Sequence, residues 1–275
     1  MKKSKLSVQI DLSKINNIRS ELKNRQEKLI KFAYDQNLQM DDLDRENIID
    51  FFENGNIPKR PEGIPNLMKS FLTCCFSYAP LRKYLTSIER KIPTPDRLPN
   101  CLAEIYSEEK FLIHDNWTPN RLHDIANNIQ KKERYNLESK KFKNRMISVI
   151  LSGTQVIEGH LKNGLDKFYI ELNALNRSSS EVMWNYVLEF QKHIYNVGPA
   201  LICDFLKDIG CDRFVKVDHH FKREFPYLLG LDDCKKLSSK EHFILSQKIS
   251  DSLNLSPFHL DHLLYQWGRY KKYDR

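Results

Sequence analysis

The stretch HIYNVGPALICDFLKDIG, His193 to Gly210, decides how this chain is read. Ahead of it, Val182, Met183, Tyr186, Val187, Phe190 and Ile194 recur at spacings of one, three and four, the pattern of a helix with one apolar face. Tyr195-Asn196-Val197 interrupts that pattern, and Gly198-Pro199 reopens a helix with proline where its missing amide does least harm. The second helix is expected over residues 199–208, with Gly210 closing it. Two readings fit a helix, a short turn and a second helix. One is an ordinary αα-corner. The other is a hairpin that presents backbone amides at a helix N-terminus to a phosphate, with Gly198 permitting close approach.

Outward from the hairpin the helical punctuation continues. Ser178 and Glu181 are spaced as a capping box, as are Ser238 and Glu241, the latter opening a helix to about Leu253. Ser256-Pro257 starts a last helix through Trp267. In the first half, residues 14–34, 41–54, 64–78 and 98–109 read as helices, separated by the loops PKRPEG and PTPDRLP. Strand-like alternation is confined to SVQIDL near the N-terminus. The expected class is all-α.

Composition narrows the partners. The 275 residues carry a formal net charge of +8, which suits a polyanion such as nucleic acid and equally suits a basic protein that binds none. No apolar run is long enough to span a bilayer, and MKKSKLSVQIDLSK lacks the apolar core of a signal peptide, so an intracellular protein is expected. Six cysteines without a C-x-x-C pair argue for buried thiols rather than a zinc or iron–sulfur site.

Downstream of the hairpin lies VKVDHHFKR, Val215 to Arg223. Asp218 there is either the acid of an active site or the N-cap of the helix that follows. His219 and His220 are adjacent, and neighbours on a helix point about 100° apart, which argues against a shared metal ion. The segment KKERYNLESKKFKNR, Lys131 to Arg145, holds seven basic residues against two acidic ones and is either a duplex-facing stripe or a solvated helix face.

Three features in order carry a resemblance. These are the turn Asn196-Val197-Gly198, V-D-H-H at Val217 to His220 with Asp218 twenty residues after Gly198, and HLLYQWGRY ending in Gly268-Arg269-Tyr270. Together they resemble the helix-hairpin-helix DNA glycosylase superfamily, in its endonuclease III-like branch, over residues 180–270. LSGTQV, Leu151 to Val156, is similar to a further segment of that family but is one residue out of step.

The resemblance implies a glycosylase fold over residues 116–275, with residues 1–115 as an additional N-terminal helical region, although lobes in such folds can interleave. It implies a DNA N-glycosylase that flips out a damaged, mismatched or modified base and excises it. Asp218 would stabilise the oxocarbenium-like transition state and activate water. Asn196, Val197, Gly198 and Ala200 would form the phosphate-binding hairpin, with Leu201 as a further amide donor. His220, Tyr195 and Gln155 would support the active site, with Trp184 another candidate to fill the vacated stack. Apart from the resemblance, Lys222, Arg223, Arg269, Lys271 and Lys272 are either contacts to the DNA backbone or solvated charges at helix ends.

Departures sharpen these expectations. Asn196 stands where the family has glycine, and asparagine tolerates left-handed backbone best among the other residues. Ala200 stands where bifunctional members have the lysine that forms a Schiff base, so the resemblance implies a monofunctional enzyme that leaves an abasic site. After Gly-Arg-Tyr the sequence has Lys271-Lys272 in place of the cysteines that bind an iron–sulfur cluster. No cofactor is expected, while a monovalent cation at the hairpin stays open. The implied partner is double-stranded DNA, bound by a monomer in the cytoplasm near the nucleoid, with no membrane. The alternatives are a catalytically idle hairpin protein that binds DNA, or a bifunctional glycosylase/lyase. The role would be base repair or defence against modified viral DNA.

Overall fold

The structure, a computed structural model, describes residues 14–35, 48–53, 55, 58–76, 120, 140–230 and 237–270. Every regular element among them is helical. The helices are α1 (Ile15–Tyr34), α2 (Gly63–Phe76), α3 (Lys140–His160), α4 (Leu165–Asn176), α5 (Ser180–Lys192), α6 (Pro199–Asp208), α7 (His219–Leu228), α8 (Ser239–Leu253) and α9 (Pro257–Tyr270). Residues 48–53 are also helical. No described helix is long and apolar enough to cross a membrane. SVQIDL, the expected helix over residues 98–109 and the loop PTPDRLP lie outside the described residues.

The chain divides into two compact units that are not consecutive halves. The first takes Met1–Asn56 and His219–Arg275, and the second is Ile57–Asp218. Residue 115, where the linear boundary is expected, lies outside the described residues.

In the first unit, α9 packs with α1, α7 and α8. α1 buries Ile18, Leu22, Leu29, Phe32 and Ala33. It also buries Arg25, whose Nε donates to Glu21 Oε1 at 2.7 Å and whose guanidinium lies 5.3 Å from the Trp267 ring. α8 starts where its capping box places it: Ser238 Oγ accepts from Glu241 N–H at 3.2 Å, and Glu241 Oε2 accepts from Ser238 N–H at 2.7 Å. Gly268 lies under Arg223 and Glu224, so a Cβ there would come within 3.1 Å of Arg223 Nη2 and 3.4 Å of Glu224 Cγ. The glycine of Gly-Arg-Tyr thus serves the seam between α7 and α9.

In the second unit, α6 packs between α2 and α5, and α2 also meets α3. Phe71 of α2 meets Phe205 of α6 edge-on at 5.3 Å. PKRPEG is anchored, because Tyr169 O–H donates to Pro61 O at 2.8 Å and Arg60 donates to Asn173. Gly210, at φ 86°, ends α6 in a left-handed turn against Pro58 and Arg60.

Two local expectations shift. The cap of α5 is Ser179, whose side chain accepts from Val182 N–H, while Ser178 Oγ donates to Leu175 O. The Ser178–Glu181 box therefore does not form, since starting the helix at Ser180 moves the third helical position to Val182. The buried face of α5 is Met183, Trp184, Val187 and Phe190, with Val182 exposed, because the core falls on the Trp184 side of the stripe.

Candidate functional site

The turn between α5 and α6 is built from its two apolar anchors. Ile194 and Val197 are buried, and the residues between them, Tyr195 and Asn196, are exposed. Asn196 takes φ 63°, the left-handed region that reverses the chain without a glycine. α3 holds the turn from behind. Ser152 Oγ accepts from Tyr195 N–H at 3.1 Å and donates to Ser148 O at 2.6 Å, while Asn196 Nδ2 donates to Ser148 Oγ at 2.9 Å. Ser148 and Ser152 escaped the sequence reading. Their signal was a pair of small hydroxyls one helical turn apart, beside Gly153.

Past the turn, Gly198 is the N-cap of α6, with φ −96° and ψ 167°, a conformation open to any residue. A Cβ added there would meet nothing within 4 Å. Neither backbone strain nor packing inside the protein calls for glycine at this position. The Gly198 carbonyl accepts from Leu201 N–H at 3.0 Å and from Ile202 N–H at 3.3 Å. Leu201 is therefore already engaged and is removed from the expected phosphate donors. Among the described residues no intramolecular acceptor serves the amides of Gly198 and Ala200, and Pro199 has none to offer. Two donors at a helix N-terminus thus flank a bare Cα, and an anion is what such an arrangement attracts.

Asp218 belongs to the same unit. The segment leading to it alternates: Val215 and Val217 are buried, and Lys216 and Asp218 are half-buried. Asp218 N–H donates to Lys216 O at 2.7 Å, a tight local turn immediately ahead of α7. Lys216 reaches back to α6, with Nζ 2.5 Å from Asp204 Oδ2, and Lys207 Nζ lies 3.2 Å from Asp204 Oδ1. Burial works to raise the Asp204 carboxyl, but the two lysines hold it below the usual carboxylate range. Burial likewise works against the Lys216 ammonium, yet Asp204 holds its pKa above the usual lysine value. Asp208 goes the other way: burial and neighbouring Asp204 push its carboxyl up. The lysines closest to the hairpin in sequence thus already have carboxylate partners. Lys207 and Lys216 serve Asp204, and Lys192 lies 3.4 Å from Glu189 on the surface of α5.

The structure therefore brings Tyr195, Asn196, Val197, Gly198, Ala200, Gln155 and Asp218 into one unit. Tyr195 is 70% exposed and Gln155 is exposed, whereas Trp184 is only 4% exposed. Trp184 is core, and its indole is unavailable to fill a gap in a base stack.

The other expected residues belong to the first unit. The rings of His219 and His220 do not diverge: their centroids lie 3.8 Å apart, and His220 meets Tyr265 edge-on at 5.8 Å. Lys222 is half-buried. Arg223 Nε donates to the buried Glu224 at 2.9 Å, and Arg269 lies 5.7 Å from the Tyr265 ring, so both cations already have contacts within the protein. Lys271, Lys272 and residues 131–139 of the basic segment lie outside the described residues. Cys74, Cys75, Cys203 and Cys211 are buried, and burial pushes the Cys211 thiol up to about 12.

No family model, curated protein or solved structure matches the chain.

Proposed function

We propose that the chain is a monofunctional DNA N-glycosylase of the helix-hairpin-helix type. One observation carries the reading. A left-handed turn at Asn196 leads to two amides without an internal acceptor, beside a glycine that the fold itself does not require, in the same unit as Asp218. In this reading the Gly198 and Ala200 amides hold a phosphate of double-stranded DNA. The Asp218 carboxylate meets the positive charge that grows on the sugar as the base departs, and it orients the attacking water. Ala200 cannot form a Schiff base, and Asp204 favours Lys216 as the ammonium ion, the form that is not nucleophilic.

The test is direct. Purified protein is incubated with genomic DNAs of varied base modification and with duplexes carrying single damaged or mismatched bases, and liberated bases are identified by mass spectrometry. Release of a base by wild type, lost in Asp218→Asn with duplex binding retained, is the expected result. No release across the panel, with Asp218→Asn behaving as wild type, would sink the enzyme reading. One observation favours a second reading, of a hairpin protein that binds DNA without chemistry: Asp218 directly precedes α7, where an aspartate also serves as a cap. A covalent protein–DNA adduct trapped by borohydride would instead establish the lyase.

A further inference from the structure

Lys216 is the residue of VKVDHH that resemblance to a glycosylase leaves unexplained. It sits between two buried valines, and its side chain is 22% exposed against 15% for that of its partner Asp204. Removing two charges from water to that degree is costly, and an apolar pair of similar size would pack the seam at no such cost. An ion pair offers direction instead, fixing one element's register on another. Lys216 is held at both ends. Its side chain is bound to Asp204 in the second turn of α6, and its carbonyl takes the N–H of Asp218. Asp204 stands four residues beyond Ala200, on the helix whose N-terminus carries the two available amides.

We infer that the Asp204–Lys216 pair positions Asp218, tying its backbone to the helix that carries the hairpin amides. The inference rests on the glycosylase reading and deepens it: the pair touches no substrate and acts through Asp218. Lys207 shares Asp204 from within α6 itself and so ties nothing to Asp218.

The test uses the full chain and the duplex whose base wild type releases fastest. Lys216→Met leaves Asp204 paired with Lys207, so no buried carboxylate is orphaned. Its single-turnover release at saturating enzyme is expected to fall roughly 10- to 100-fold. Its affinity for a duplex carrying a tetrahydrofuran abasic analogue should stay within about twofold of wild type, because the hairpin amides are untouched. Lys216→Arg, which keeps the tie, and Lys207→Met, which never held it, are each expected to excise at about the wild-type rate. Hydrogen exchange at the Asp218 amide should quicken in Lys216→Met while the 194–200 peptide is unchanged. Should Lys216→Met fail to fold, Asp204→Glu carries the test, since lengthening the pair displaces Lys216 without removing charge. Excision at the wild-type rate by Lys216→Met, or by Asp204→Glu in its place, overturns the inference and leaves the glycosylase standing. A wild type that releases no base overturns both.

Discussion

Asn196 offers the sharpest test of how the hairpin is held. Alanine at φ 63° costs about 1–2 kcal/mol in backbone energy that asparagine largely avoids. Asn196→Ala also loses the 2.9 Å bond to Ser148 Oγ, worth about 0.5 kcal/mol at an exposed position. Together these predict a loss of about 1.5–2.5 kcal/mol. Asn196→Gly gives up the same hydrogen bond but keeps the left-handed turn, so its loss should stay below about 1 kcal/mol. Urea denaturation in a Trp267→Phe background would make fluorescence report the unit that holds the turn, which contains Trp184. In a chain of this size each kcal/mol also moves the thermal midpoint by about 2–4 °C. Duplex affinity should follow the same order, with glycine close to wild type and alanine weaker. Equal stability of the alanine and glycine variants, within about 0.3 kcal/mol, would show that left-handed geometry is not what selects asparagine here.

Ser152→Ala strands the Tyr195 amide and is expected to lose about 1–3 kcal/mol in the same urea assay, with loosened hydrogen exchange at residues 194–196; an unchanged midpoint would refute the role given to α3. At Gly153 a Cβ would lie 2.3 Å from Phe71 Cε1 and 2.6 Å from Cζ, and Phe205 backs that ring. Gly153→Ala should therefore destabilise by about 1–3 kcal/mol despite alanine's better helix propensity, and a stabilised variant would contradict the packing. His242 is buried, its Nδ1–H donating to Ser238 O at 3.1 Å, and burial holds its pKa below the ordinary histidine value. The unfolded chain takes up the proton first, so stability is complete above about pH 6.5 and is lost as pH falls toward the folded-state pKa. His242→Leu should flatten that part of the pH–stability curve, and an unaltered slope would remove His242 as its source.

Local signals set the helix ends in advance wherever one residue type left the backbone little choice. Pro199 and Gly210 bracket α6 as the spacing implies, and Ser238 with Glu241 fixes the start of α8. Where neighbours offered equivalent chemistry, local reading slipped by one. Ser178, Ser179 and Ser180 can each cap a helix, and burial of the Trp184 side, a tertiary matter, chose Ser179. The hydrogen bonds from α3 to the turn join residues more than forty positions apart, beyond any periodicity. Asp204 and Lys216 did leave a trace, as lone charges within the apolar runs PALICDFL and VKV. What that trace lacked was the distance between them, which only the fold supplies.

The way the first unit is assembled has a consequence during synthesis. α1 leaves the ribosome roughly 220 residues before α9, the helix against which it packs. At about 5–20 residues per second, Leu22, Leu29 and Phe32 wait some tens of seconds for their partner. Meanwhile every residue of the unit bearing the hairpin has been made, so that unit can form around its own core while the N-terminal helix is still unaccompanied. A chain arrested once Asp218 has cleared the ribosomal exit tunnel should already protect the hairpin from protease while α1 is readily cut.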